Sequence, residues 1–284
     1  MVNFKNIEKP YLIAEIGINH NGDIQIAKKL IDSAFAAQWD CVKFQKREPD
    51  LAVPEAQKSV IRDTPWGKMT YLDYKKRIEF GKAEYDYIDK YCKEKPIDWT
   101  ASVWDVPSLK FILNYNVPFI KIPSAKLTDV ELLTEAAKSG VPLVVSTGMS
   151  TMEEVDKAVE ILENHKSQYI LLYCNSAYPA PPDKLNLKCL KTMQDRYHQP
   201  IGYSGHEYDA EPTVFAALLG AKVIERHITL NHAMWGSDQS ASLELTGMDR
   251  LKRRISAIDV MMGDGKKVVT EEEEVKRKQL RGTA

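Results

Sequence analysis

Short β-branched runs alternate with longer segments of helical periodicity along nearly the whole chain. YLIAEI at 11–16, CVKFQ at 41–45, IDWTA at 97–101 and FIKI at 119–122 read as strands, followed by PLVVS at 142–146, YILLY at 169–173, PIGYS at 200–204 and KVIERH at 222–227. Their composition suits buried parallel strands, which need crossover helices on both faces. The intervals 24–38, 73–93, 106–115, 129–139, 151–164, 185–197, 211–220 and 247–261 carry the helical pattern. In the fifth, Val155, Val159 and Leu162 share one face, while Glu153, Glu154, Asp156 and Lys157 make the wet one. STMEEV offers Ser150 or Thr151 as a cap with glutamates close behind, and Gly140 and Gly220 read as stops. Eight βα units over about 250 residues predict one closed (β/α)8 TIM barrel, with 1–284 as a single domain. A doubly wound open sheet is the alternative, because periodicity does not report closure.

Two stretches fall outside the alternation. Residues 46–72 form a long insertion after the second strand, expected to be an active-site loop. The end, from 263 onward, reads as a short C-terminal extension with Glu271 to Glu274 in solvent, capping a terminal helix.

Composition narrows the class without choosing a function. The 284 residues hold 39 basic and 40 acidic side chains, a formal charge of -1, which argues against a general nucleic-acid surface. Cys41, Cys92, Cys174 and Cys189 form no short-spaced metal or redox motif and read as reduced thiols. With no apolar run of leader or membrane-span type, the expectation is a soluble cytoplasmic enzyme. The GxG-like fragments do not follow the first strand with dinucleotide spacing, so a nicotinamide enzyme has little support. Trp39, Trp99 and Trp104 are expected between helices and barrel, and Tyr71 and Tyr74 under the long loop. The basic run from Arg250 to Arg254 reads as a solvated helix face.

Barrel enzymes gather their chemistry at the C-terminal strand ends. There this sequence sets Glu15, Lys43, Gln45, Ser102, Lys121, Ser124 and Ser146, then Ser176 and Tyr178 of the NSAYPAPP turn, then Ser204, His206 and His227. Lys43 and Lys121 suit a phosphate or carboxylate, or ordinary salt bridges with Glu15 or Asp40 among the partners. His206 and His227 suit one divalent metal, or a loop-orienting and an internal hydrogen-bonding role. His165 and His198 fall at helix ends, and His20 and His232 lie on loops near the expected mouth without assigned partners.

IAEIGINHNG at 13–22, KFQ at 43–45, KIPSAKLTD at 121–129, STGMST at 146–151, SAYP at 176–179, GYSGHE at 202–207, IERHITL at 224–230 and MWGSDQSASLE at 234–244 together resemble the sialic-acid synthase family. The likeness runs from about residue 10 to 280. It implies a (β/α)8 barrel that condenses phosphoenolpyruvate with an aldose or acetamido-sugar aldehyde, N-acetylmannosamine or a relative, to a nonulosonate-type 2-keto-3-deoxy acid. By that resemblance Glu15 is the acid/base group, and Lys43, Lys121, Ser124, Ser146 and Ser204 hold phosphoenolpyruvate. Ser102 stands where threonine is usual and Ser176 where asparagine or serine serves. Gln45 and Asp238 face the sugar, and His206 and His227 hold Mn2+ or Mg2+. A homo-oligomer is compatible with it; nucleic acid and membrane are not implied.

Three departures alter the expectation. Lys126 replaces the family's sugar-facing glutamate, and an inward amine there would favour a phosphate or carboxylate on the acceptor. Gly205 replaces an aspartate beside the metal histidine. A C-terminal antifreeze-like domain, which supplies an arginine to the partner's sugar site in many members, is absent from this stretch. The alternatives are a synthase for another or phosphorylated ketodeoxy acid, a metal-dependent sugar aldolase, and a sugar-binding barrel without activity.

Overall fold

The computed structural model describes residues 1–282, the Lys5 side chain apart, so the last two positions of the expected 1–284 domain lie outside the described residues. In chain order the strands are β1 (Tyr11–Gly17), β2 (Cys41–Lys46), β3 (Ile61–Thr64), β4 (Gly67–Thr70), β5 (Asp98–Val103), β6 (Ile120–Ile122), β7 (Leu143–Ser146), β8 (Tyr169–Cys174), β9 (Ile201–Gly205) and β10 (Val223–His227). Eight of them close a barrel in the order β1-β2-β5-β6-β7-β8-β9-β10, with β10 returning to β1, and the pairs are parallel. This is the predicted (β/α)8 barrel; the open sheet is ruled out by the β1–β10 pairing.

Period-two alternation sorts the inward residues into layers. Ile13, Cys41, Phe119, Val144, Ile170, Leu172 and Val223 fill the lower interior, and Phe4 closes it from below with its ring 5.6 Å from that of Phe119. Burial of side chains of this size contributes about 1.5–3 kcal/mol each. Two residues further along the same strands the inward side chains are Glu15, Lys43, Lys121, Ser146 and Glu225. One barrel therefore carries a dry floor and a charged ceiling. The outward positions, such as Leu12, Ala14, Val42 and Phe44, pack under the helices in the main core.

The insertion is more ordered than a loop. After α1 (Ile24–Ala36), which joins β1 to β2, it folds as two short helices, α2 (Pro49–Ala52) and α3 (Glu55–Lys58), and the β3–β4 hairpin. The single helix predicted over 73–93 is instead two, α4 (Tyr71–Ile78) and α5 (Lys82–Glu94). The break follows from two inward side chains. Glu79 pairs with Lys46 at 3.0 Å, and the buried Phe80 stacks on His20 at 3.9 Å. Gly81 then restarts the helix, its N–H bonded to Glu84 at 2.9 Å. Trp39 and Trp99 are buried as expected. Trp104 is not packed between layers: it stands at the barrel mouth under the Arg47 guanidinium, 4.8 Å from its ring centre. The terminal helix over Glu271–Arg281 is capped by Thr270; Glu271, Glu272 and Glu273 are exposed, and Glu274 is half-buried. Among the described residues no helix is long and apolar enough to cross a membrane.

Candidate active site

A cavity of about 290 Å³ opens at the C-terminal strand ends. It is lined by Glu15, Lys43, Gln45, Ser102, Lys121, Ser124, Ser146, Ser176, Tyr178, Ser204, His206 and His227, all expected from the sequence. Register explains the convergence. Glu15 is level with both Lys43 and His227, Gln45 with Ser102, Ser102 with Lys121, and Ser204 with Glu225.

Lys43 donates to Ser102 at 2.6 Å and pairs with Glu15 at 2.6 Å; Lys121 donates to Ser146 at 2.6 Å. Glu225 stands 3.8 Å from Lys43 and 4.0 Å from Lys121, and accepts from Ser204 at 3.1 Å. All four charged groups are buried. Burial depresses the Lys121 ammonium below its ordinary value, against the pull of Glu225. Burial raises the Glu15 carboxyl above the usual carboxylate range, with Glu225 adding to the rise and Lys43 opposing it. Burial also pushes Glu225 up, but Lys121 and Lys43 outweigh it and hold that carboxyl low. Two carboxyls around shared cations are thus driven apart, one toward neutrality and one to permanent charge.

Glu225 is a site residue that strand-end position does not single out: it stands in IERHITL two residues before His227, on the inward face. Of the expected residues, Asp238 lines an adjoining cavity of about 280 Å³, with Oδ2 3.8 Å from His227 Nδ1. Lys126 is a correction. It lines neither cavity, because the 3-10 turn Ser124–Lys126 carries it outward, where its ammonium meets Asp129 at 3.1 Å. His20 accepts from the Gly22 N–H at 3.0 Å and stacks on Phe80, a structural role. His232 pairs with Glu244 at 3.2 Å, outside both cavities. His165 and His198 end helices.

The histidine pair fits nitrogen ligation. Their ring centres are 5.5 Å apart. His206 Nδ1 donates to the Asn175 carbonyl at 2.6 Å, which leaves a lone pair on Nε2; the Tyr178 hydroxyl donates to it at 2.8 Å. His227 Nδ1 is buried without a hydrogen-bond partner. Burial, then the neighbouring imidazole, lowers His206 to about 4, and burial lowers His227 as well, so both stay neutral near pH 7. Among the described residues no three His, Cys, Asp or Glu side chains converge, so other ligands would be substrate oxygen or water. Gly205 has a local cause. A Cβ there would lie 2.7 Å from the Glu207 carboxylate and 2.8 Å from Arg226, a buried pair that leaves no room for an aspartate.

A closed parallel barrel with buried lysines, hydroxyls and paired imidazoles at its strand ends defines a class built to handle small anionic substrates. The NeuB family's sequence profile matches residues 30–267, and the chain belongs to that family. It is 41% identical over 248 residues to the N-acetylneuraminate-9-phosphate synthase of Drosophila melanogaster, covering 86% of this chain and 66% of that protein. It is 32% identical over 274 residues to the N,N'-diacetyllegionaminic acid synthase of Legionella pneumophila, covering 93% and 76%. The N-acetylneuraminic acid (sialic acid) synthetase of Leptospira borgpetersenii, solved with citrate, superposes with a TM-score of 0.84 at 31% identity, over 97% of this chain and 94% of that one.

Proposed function

We propose that this chain condenses phosphoenolpyruvate with an aldose to give a nonulosonate-type 2-keto-3-deoxy acid and phosphate. The observation that carries the reading is the pair of buried ammonium groups, each on a hydroxyl and flanked by one permanent carboxylate, in a family whose relatives are named as sugar-acid synthases. Lys43 with Ser102, and Lys121 with Ser146, hold the phosphate and carboxylate of phosphoenolpyruvate by charge-assisted hydrogen bonds. Phosphoenolpyruvate C3 bonds to the aldehyde carbon, and the aldehyde oxygen takes a proton. Water adds at C2, and the tetrahedral carbon expels phosphate by C2–O cleavage, leaving the ketone. Glu15, raised toward neutrality, gives or takes the proton at the aldehyde oxygen or the water. The Gln45 side-chain amide donates to that carboxyl at 3.0 Å. A divalent cation, Mn2+ or Mg2+, on His206 and His227 would supply Lewis-acid polarisation of the aldehyde.

The test is phosphate release from phosphoenolpyruvate across a panel of aldoses and acetamido hexoses, with the ketodeoxy product assayed in parallel. Sugar-dependent release with product is expected. A borohydride-trapped pyruvate adduct on Lys43 or Lys121, without phosphate release, would replace the reading with a Schiff-base aldolase.

A further inference from the structure

His206 and His227 reach the barrel mouth by different routes. His227 ends β10, level with Glu15 in the β1–β10 ladder. His206 stands one residue past β9, on the loop 206–210, and the β9–β10 ladder stops at the Gly205–Arg226 pair. Strand register therefore fixes one imidazole and leaves the other to its loop. The Arg226 side chain spans that gap. It lies between two cavity-lining residues, Glu225 and His227, points away from the cavity, and is fully buried. Its Nη2 donates to the Glu207 carbonyl at 2.6 Å, and its Nη1 to the Asp209 carbonyl and the Glu207 carboxylate at 3.1 Å each. The buried Glu207 carboxylate is fixed in turn by the Thr213 hydroxyl at 2.6 Å and the Tyr203 hydroxyl at 3.0 Å. The strand that carries His227 thus grips the loop that carries His206. From the other side, the Ala180 N–H donates to the His206 carbonyl at 3.0 Å.

A buried ion pair is a costly way to pack a loop on a strand, since apolar residues of the same volume often serve stability as well or better. What an apolar pair does not do is hold two backbone carbonyls and a carboxylate in fixed directions. We propose that Glu207 and Arg226 are positioning residues: they clamp the His206 loop to β10, set the separation of the two imidazoles, and so set the pair's affinity for a divalent cation. Gly205 belongs to the same device. A Cβ there would lie 2.7 Å from the Glu207 carboxylate, so Glu207 fills the space that an aspartate at 205 would need. Neither Glu207 nor Arg226 lines a cavity, and both act through the histidines beside them. The proposal rests on the metal-binding reading of the histidine pair.

The test titrates Mn2+ alone into the parent, Arg226→Lys and the double variant Glu207→Leu with Arg226→Met, with the electron paramagnetic resonance signal of free Mn2+ reporting binding. The double variant removes both charges together, so no lone ion is left buried and the circular dichroism of the folded chain should persist. Its Kd for Mn2+ should nonetheless rise about 10- to 100-fold, the range for lost support behind a metal ligand. Arg226→Lys keeps a charge for Glu207 but loses the fork that reaches both carbonyls, so its Kd should rise too, by less. Phosphoenolpyruvate titrated without metal, held by lysines on β2 and β6, should bind all three proteins alike. A parent-like Kd for Mn2+ in a folded variant overturns the clamp, and so does an equal loss of Mn2+ and phosphoenolpyruvate binding, which marks general loosening. Where the double variant does not fold, Arg226→Lys decides alone. A parent that binds no Mn2+ sinks the metal reading and the clamp with it.

Discussion

The two neighbouring cavities handle charge in opposite ways. In the inner one every cation has a carboxylate near it: Lys43 on Glu15 at 2.6 Å and Lys121 near Glu225 at 4.0 Å. In the outer one Arg47 donates to Gln45 and shares a carboxylate with Lys46, and among the described residues Lys75 has none within ion-pair distance. The inner cations are held by strands of a closed barrel, where register fixes each height. The outer ones come from the chain just past β2 and from α4, and are held by rings and a shared acid. Paired charges in a rigid frame can stay in place through a reaction with their geometry prearranged. The difference separates a cavity of paired charges from one whose cations stand on rings and a shared acid.

The largest effect that would break the comparison is at Lys43. Lys43→Met should lower kcat/KM about 100- to 1000-fold, the range for losing a preorganised donor. It should also destabilise the fold by about 3–5 kcal/mol, because Glu15 is left buried and unpaired. Adding Glu15→Gln should restore most of the stability and none of the activity. Urea titration beside phosphate-release assays checks both. A stable, slow Lys43→Met would mean that the pair is not the inner cavity's support.

Next in size is His206→Ala. Loss of one imidazole should cost at least the about 10- to 100-fold typical of weakened metal support, with circular dichroism little changed. The effect should appear as a higher concentration of Mn2+ or Mg2+ needed for half-maximal turnover. Unchanged metal response in His206→Ala would leave the imidazole pair a structural contact.

The same contrast governs what was legible in the sequence. Strand alternation and strand-end position brought twelve expected side chains to one cavity, since a barrel leaves inward residues no other place to go. Glu225 escaped because it sits mid-strand by sequence, and only the β9–β10 register shows it level with Ser204. Lys126 misled because five residues of spacing from Lys121 say nothing of the tight turn that swings it to Asp129. Arg47, Lys75 and Trp104 escaped for a deeper reason. Their position depends on how the 46–81 segment packs, above all on the inward turn of Glu79 and Phe80, which interrupts a pattern that reads as unbroken helix. Local periodicity carries no record of such a turn, and Gly81 was the lone hint.

The smallest effect sharpens the contrast through stability and pH. Burial, then the Arg47 charge, pushes Lys75 down from its ordinary 10.5 to about 7 in the folded chain. Between those values the unfolded chain holds a proton that the folded chain has released. Stability therefore falls as pH drops from about 10.5 to 7, and the penalty is fully present below about 7. Lys75→Met removes it, since a methionine fills the same space without a charge to bury. At pH 6.5 the variant should be more stable than the parent by about 1–2 kcal/mol, with the gain shrinking toward zero near pH 10. The Lys43→Met change, made to a cation with a partner, should go the other way at every pH in that window. Thermal or urea melts of both variants at the two pH values decide the matter. A destabilised Lys75→Met at pH 6.5 would make its ammonium a structural group, and the outer cavity would lose its distinction from the inner one.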